Sequence, residues 1–292
     1  MLYDEFENLF NKIIFEKSKF DLLKKIAACP ARYVGLFRPS KPKAKIIQNL
    51  LQSHEIRFGD AFEILVEKYL VESGYKILEK KFPDGEGSYL SVDQIFSKGK
   101  NVFFVEQKIR DDHDSTKKRG QIDNFEKKIS VITENHKSSK IKGFFYFVDK
   151  SLSKNHRFYT AEIAKLSGDY GIDLQLAYGA DLFDSLGHLQ VWPELLGHLE
   201  MWKERIPELP EINFDKDSQA SFEEIKQLRP GTYRKLFSNR ELEELLCVLF
   251  PSGDTLRLLA DYFAQQHQNN EGQIYKTLQD MCAETAKRLA GK

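Results

Sequence analysis

SVDQIFSKGKNVFFVEQKIRDDHDSTKKRGQ, residues Ser91 to Gln121, is the stretch on which the reading of the whole chain turns. Val102-Phe103-Phe104-Val105 is rich in residues that fit a pleated, buried surface, and Lys98-Gly99-Lys100-Asn101 reads as a four-residue hairpin loop. With that loop, Ser97 faces Val102, and counting back along both strands sets Asp93 opposite Glu106. Side chains alternate along a strand, so Glu106 and Lys108 share one face. The hairpin therefore gathers two carboxylates and one amine at a single point.

Those residue types suit metal-assisted cleavage of a phosphodiester. Two carboxylates offer hard oxygen ligands to one or two Mg²⁺ while leaving positions for water and a phosphate oxygen. The metal would acidify the attacking water and neutralise charge building on phosphorus. Lys108 adds a fixed positive charge beside the nucleophile and the scissile phosphate. The carbonyl of Gln107, between the two side chains, is a further candidate ligand. The acid-x-Lys spacing recurs at Glu79-Lys80-Lys81, Glu126-Lys127-Lys128 and Glu224-Ile225-Lys226, in expected helices or a charged strand end, where a solvated face accounts for it. Glu106 differs because it directly follows an apolar run whose sides are expected to be buried. A carboxylate and a lysine there need a partner or a function, and a structural ion pair is the competing reading.

With 292 residues the chain has room for one large core or two modest domains. Its 44 basic and 44 acidic side chains cancel, which leaves room for a local basic groove that contacts DNA. Cys29, Cys247 and Cys282 are scattered without metal-ligand spacing or a disulfide framework, so a reducing, cytoplasmic setting is expected. MLYDEFENLFNKII is acidic and amphipathic, unlike a signal or transit peptide, and no apolar run approaches the length of a membrane span.

Along the chain, residues 1 to about 27 read as one or two helices with Leu2, Phe6, Phe10, Ile13 and Ile14 on one side. Residues 30 to 44, with three prolines and several basic side chains, read as a loop, either a DNA-contacting arm or a basic linker. A short helix over Lys45–Ser53 and a stronger one over Phe58–Ser73, stopped at Gly74, come next. Tyr75 to Phe82 is extended and Pro83-Asp84-Gly85 a turn. After the hairpin, RDDHDSTKKRGQ reads as an exposed loop whose Lys117, Lys118 and Arg119 are candidates for gripping phosphate, and whose His113, set among Asp111, Asp112 and Asp114, reads as a DNA contact or a solvated loop residue ahead of a metal ligand. A helix from Gln121 to His136, a strand over Gly143–Asp149, a helix over Ala161–Leu166 and a strand over Asp173–Tyr178 complete an α/β sandwich with a mixed sheet of about five strands. From Pro193 onward only helices are expected. The expected division is an N-terminal helical segment and basic loop (1–55), a core (56–199) and a C-terminal helical subdomain (200–292).

A helix carrying an acid, an Asp on a first strand and Glu-x-Lys on the next, followed by a helix and two more strands, resembles the PD-(D/E)XK nuclease core over about residues 56 to 186. The resemblance implies that Asp93 and Glu106 bind metal, that Lys108 is the motif lysine, that Glu63 is the helix acid near the metal and that Gln121 is a further polar residue of the site. Val92 stands where the usual proline precedes the aspartate. A chain of this size with helical additions at both ends is similar to type II restriction endonucleases, and KIRDDHDSTKKRGQ resembles HinfI-like enzymes that cut GANTC. That family implies Mg²⁺, double-stranded DNA as substrate, a homodimer matching a palindromic site and a companion DNA methyltransferase. The rival readings are a repair or junction nuclease of the same fold and a DNA-binding protein without catalysis. No paired-cysteine frame accompanies His113, and Tyr33-Val34-Gly35 lacks the partner motif of another nuclease type.

Overall fold

The computed structural model describes residues 1–83, 87–110, 115–270 and 273–291. It divides into two compact units, Met1–Ile13 with Arg57–Ile206 and Ile14–Ile56 with Pro207–Lys292. The expected N-terminal segment 1–55 is thus shared between the two, and the reason is packing. Helix α1 (Tyr3–Ile14) buries Phe10 against Phe58 and Trp202 and Phe6 against Phe10 and His198 of the first unit, whereas Leu2, expected on the same side, is 74% exposed.

The two helices expected between Lys45 and Ser73 are one, α4 (Pro42–Glu72), because nothing in SHEIRF breaks a helix. The chain passes from one unit to the other within this helix, between Ile56 and Arg57. Ile46 and Leu50 are buried before that point, and Ala61, Phe62, Leu65, Val66 and Tyr69 after it.

The first unit is built on a five-stranded sheet in the order β1-β4-β5-β6-β7. β1 (Lys76–Ile77) and β4 (Gln94–Lys98) are antiparallel, as are β4 and β5 (Asn101–Lys108). β5, β6 (Lys140–Phe147) and β7 (Asp173–Tyr178) run parallel, joined by crossover helices α5 (Ser115–Asn135) and α6 (His156–Tyr170). A separate ribbon pairs β2 (Lys81–Pro83) with β3 (Tyr89–Ser91), while the turn expected at Pro83-Asp84-Gly85 runs into residues outside the described ones.

The central hairpin pairs Ser97 with Val102 as expected, but its turn is tighter than expected. Lys98 pairs with Asn101, so only Gly99 and Lys100 turn the chain, Gly99 at a φ of 62°. One face of the sheet, carrying Ile95, Val102, Phe104, Phe145 and Phe147, packs on Ile122, Phe125, Ile129 and Ile132 of α5 and on Tyr159 and Ile163 of α6. The opposite face is tied to α4 by the side-chain amides of Gln94 and Gln107, which donate to the carbonyls of Glu63 and Gly59 at 3.1 Å each. A short helix, α7 (Asp181–Ser185), and a longer one, α8 (Val191–Arg205), follow the last strand of this unit.

Among the described residues the elements of the second unit are helices: α2 (Ser18–Ala28), α3 (Ala31–Val34), the first half of α4, and α9 to α13 (Ser218–Ile225, Pro230–Phe237, Glu243–Leu249, Asp254–Asn270, Gln273–Ala290). Leu22, Leu23, Ile26, Tyr33, Ile46 and Leu50 share one core with Phe214, Ile225, Tyr233, Leu246, Phe263 and Cys282, which is why residues 14–56 group with the C-terminal helices. Asp215 closes this unit's connecting turn by accepting from the backbone N–H groups of Ser252, Gly253 and Thr255 at 2.9, 2.8 and 2.8 Å.

Gly143 occupies a point of the sheet with no room for a side chain. It pairs with Phe104 on one side and Leu174 on the other, and a Cβ there would lie 2.3 Å from the Phe104 ring and 2.6 Å from a Leu174 methyl. Gly143→Ala is therefore expected to destabilise the protein by about 1–3 kcal/mol through overpacking. A urea melt would show this as a lower midpoint with an unchanged slope.

Candidate active site

Continuing the hairpin register one step past Gln94↔Val105 brings Asp93, in the bend before β4, beside Glu106 on β5. Glu106 is 2% exposed and lies, with Lys108, on the face that carries Phe104 and looks toward α5. Lys108 Nζ donates to Glu106 Oε1 at 2.6 Å and sits 5.6 Å from the centre of the Phe145 ring. The backbone N–H of Gln107 donates to Asp93 Oδ2 at 2.7 Å, which fixes the Asp93 carboxylate against the strand.

The two carboxylates meet at a third group. Lys128, on α5 and 4% exposed, hydrogen-bonds Glu106 Oε2 and lies 3.3 Å from Asp93 Oδ1. This corrects the expectation of a solvated face for Glu126-Lys127-Lys128. The signal that finds Lys128 is its position within α5: three residues after Phe125 and four before Ile132, inside the apolar stripe. Burial works against its charge, yet the charges of Glu106 and Asp93 outweigh that and hold its ammonium above the usual lysine range. Asp93 is pushed up from the ordinary carboxylate value by burial and by the charge of Glu106, against the pull of Lys128, Lys108 and the Gln107 N–H.

Glu63, on α4, is close enough to feel this centre without joining it. Burial and then the charge of Asp93 raise its pKa to about 8. Lys80 lies 3.9 Å from Glu63 but is committed to Glu67 at 2.6 Å, so it does little to hold Glu63 ionised. Among the described residues no group of three or more His, Cys, Asp or Glu side chains is gathered closely enough to hold a metal ion. The Asp93–Glu106 pair offers two carboxylates, a set that would suit a cation taking one or two carboxylates and filling its other positions with water and phosphate. The side chain of Gln107 turns to the other face, toward α4, with its buried Oε1 unpartnered.

Helix α5 begins at Ser115, earlier than expected, so Lys117, Lys118 and Arg119 stand on its first turns instead of in a loop. Lys118 is half-buried over the Phe158 ring at 4.5 Å and donates to Asn155 Oδ1 at 3.3 Å, while Lys117 and Arg119 are exposed. Gln121 lies inside α5 instead of opening it, and accepts a hydrogen bond from the Tyr159 hydroxyl at 2.8 Å, joining α5 to α6. His113, with Asp111, Asp112 and Asp114, lies outside the described residues.

A family model described as "Type II restriction endonuclease, HinfI" matches residues 2–86 and 78–203. The chain belongs to the HinfI family. Comparisons with curated proteins and with solved structures gave no match. The five-stranded mixed sheet with helical additions is the restriction-endonuclease-like sandwich of the HinfI family, and residues 204–292 lie beyond the matched region. No helix among the described residues is long and apolar enough to cross a membrane.

The state of Glu63 makes a measurable difference. Between pH 4.5, where an ordinary glutamic acid titrates, and about 8, folded Glu63 holds a proton that the unfolded chain has released. Folding then takes up a proton, and stability falls as pH rises through that window. Glu63→Gln is expected to change stability little at pH 5 and to raise it at pH 8, flattening the pH profile. Denaturant melts in EDTA at the two pH values check this.

Proposed function

We propose that this chain is a Mg²⁺-dependent endonuclease that hydrolyses phosphodiester bonds of double-stranded DNA at a specific sequence. The observation that carries the reading is the convergence of Asp93 and Glu106, with Lys108 beside them, at the buried end of the central hairpin of a HinfI-family chain. Asp93 and Glu106 would hold the metal, with the Gln107 carbonyl as a further ligand. A bound Mg²⁺ supplies an acidified water and charge neutralisation at phosphorus.

The chain's own residues do the rest. The Gln107 N–H orients Asp93, and Glu106 orients Lys108. The Lys108 ammonium, half-buried against Phe145, is a fixed charge for the pentavalent phosphorane-like transition state. Lys128 neutralises the carboxylate pair, and its ammonium would have to release Asp93 and Glu106 for them to hold a divalent cation. Glu63, its pKa raised by burial and by the charge of Asp93, is the helix acid at the edge of the centre, and Gln121 steadies α5 through Tyr159. Lys117, Lys118 and Arg119 on α5, together with His113, contact DNA phosphates. The reading includes a homodimer suited to a palindromic site, a methyltransferase that protects host DNA, and action in the cytoplasm.

Incubating the protein with plasmid and phage DNA tests this, GANTC being the first sequence to examine in the products. Discrete bands are expected with Mg²⁺ and none with EDTA. Asp93→Asn and Glu106→Gln should each lower the cleavage rate by about 10²–10³-fold or more. Amides are the informative substitutions, because Glu106→Ala would strand Lys128 without its closest partner. A metal-independent product pattern, or full activity in both variants, would contradict the assignment. A smear would point to a structure-selective nuclease, and intact DNA under every condition to a binding protein.

A further inference from the structure

Charge in this chain balances overall but not locally. From Leu22 to His54 there is no Asp or Glu, while Lys24, Lys25, Arg32, Arg38, Lys41, Lys43 and Lys45 all fall in that stretch. Arg32, Arg38, Lys41 and Lys43 are exposed, and among the described residues none has a carboxylate within ion-pair distance. At the centre of this stretch, in the loop between α3 and α4, Leu36 is 92% exposed and Phe37 95%. No other large apolar side chain among the described residues is as bare.

The loop is anchored on both sides. Tyr33 of α3 is fully buried in the helical core, and α4 begins at Pro42 with Ile46 buried one turn on. The Gly35 N–H donates to the Ala31 carbonyl at 3.2 Å and the Arg38 N–H to the Gly35 carbonyl at 3.0 Å, while Pro39 and Pro42 restrict the chain beyond. Two adjacent large apolar residues held out in water lose the burial that ordinarily stabilises such side chains. Scattered exposed apolar residues are common, but a pinned Leu-Phe pair flanked along the chain by uncompensated cations has a specific complement.

We propose that residues 32–43 form a DNA hook: Arg32, Arg38, Lys41 and Lys43 hold phosphates on either side of a groove, and Leu36-Phe37 enters it as a wedge that unstacks a base step. Duplex DNA is a polyanion whose apolar stacked interior lies between its charges, so it satisfies both halves of the loop at once. The hook rests on the reading of the chain as a DNA-cleaving enzyme, and it adds a surface and a mode of grip that the carboxylate centre does not supply.

The test uses the full chain, a duplex containing GANTC and EDTA to prevent cleavage. Binding is measured by fluorescence anisotropy across salt concentrations, and base unstacking by permanganate reactivity of thymines. Leu36→Ser/Phe37→Ser should bind about tenfold more weakly, with an unchanged salt slope and no thymine reactivity. Arg38→Gln/Lys41→Gln/Lys43→Gln should flatten the slope of log K against log salt by about 2–3, near 0.9 for each phosphate no longer neutralised. These side chains are exposed, so both variants should melt with the wild type. Wild-type affinity and slope in both variants would overturn the hook, and with Mg²⁺-dependent cleavage retained they would leave the cleavage reading standing. Variants that keep DNA binding but no longer bind phosphatidylglycerol vesicles would reassign the loop to lipid and overturn the hook. Weakened binding as expected, in a wild type that never cleaves, would uphold the hook while removing the cleavage reading, and no binding by the wild type would remove both.

Discussion

Two carboxylates, one buried and one half-buried, within reach of one point repel each other and must find a cation, share a proton or force the chain apart. Here Lys128 supplies the cation, bonded to Glu106 and 3.3 Å from Asp93. Much of the first unit follows from that contact. The hairpin register sets Asp93 beside Glu106, α5 must present a lysine within its apolar stripe, and the β5–α5–β6 crossover must bring the stripe down on the face that carries Glu106. A buried charge network adds little net stability compared with a well-packed apolar one, and breaking one member of it costs several kcal/mol. A centre so arranged makes sense when its charges serve something other than folding.

The hairpin is legible in the sequence because strand alternation and a glycine-containing turn leave few registers open. The register expected from Ser97 and Val102 holds, and with it the shared face of Glu106 and Lys108. The order of strands and crossovers is legible for the same reason, since short apolar runs alternate with helical stripes. Lys128 is hard to find because a lysine in a charge-rich helix is ordinarily solvated, and only its phase relative to Phe125 and Ile132 betrays its burial. The early start of α5 and the fusion of two helices into α4 are equally hidden because neither boundary carries a strong breaker, so tertiary packing decides them. The sharing of residues 1–55 between two units is a property of long-range packing, invisible to local pattern.

The family match ends near the point where the sheet-containing unit ends, at residue 203 against Ile206. Helices α9 to α13 therefore lie beyond the matched region, and they complete a core with residues 14–56 that lie inside it. That shared core seats the acid-free stretch bearing Leu36 and Phe37. The carboxylate centre and the basic loop are thus supported by different packing, one by a mixed sheet covered by helices and the other by helices alone.

Mn²⁺ binding measured by calorimetry without DNA tests most directly the central proposal, that the Asp93–Glu106 pair would hold a divalent cation once freed of an internal ammonium. Wild type should bind Mn²⁺ weakly, Lys128→Met several-fold more tightly, and Asp93→Asn not at all. Equal affinity in all three proteins, or weaker binding in a folded Lys128→Met, would contradict the account.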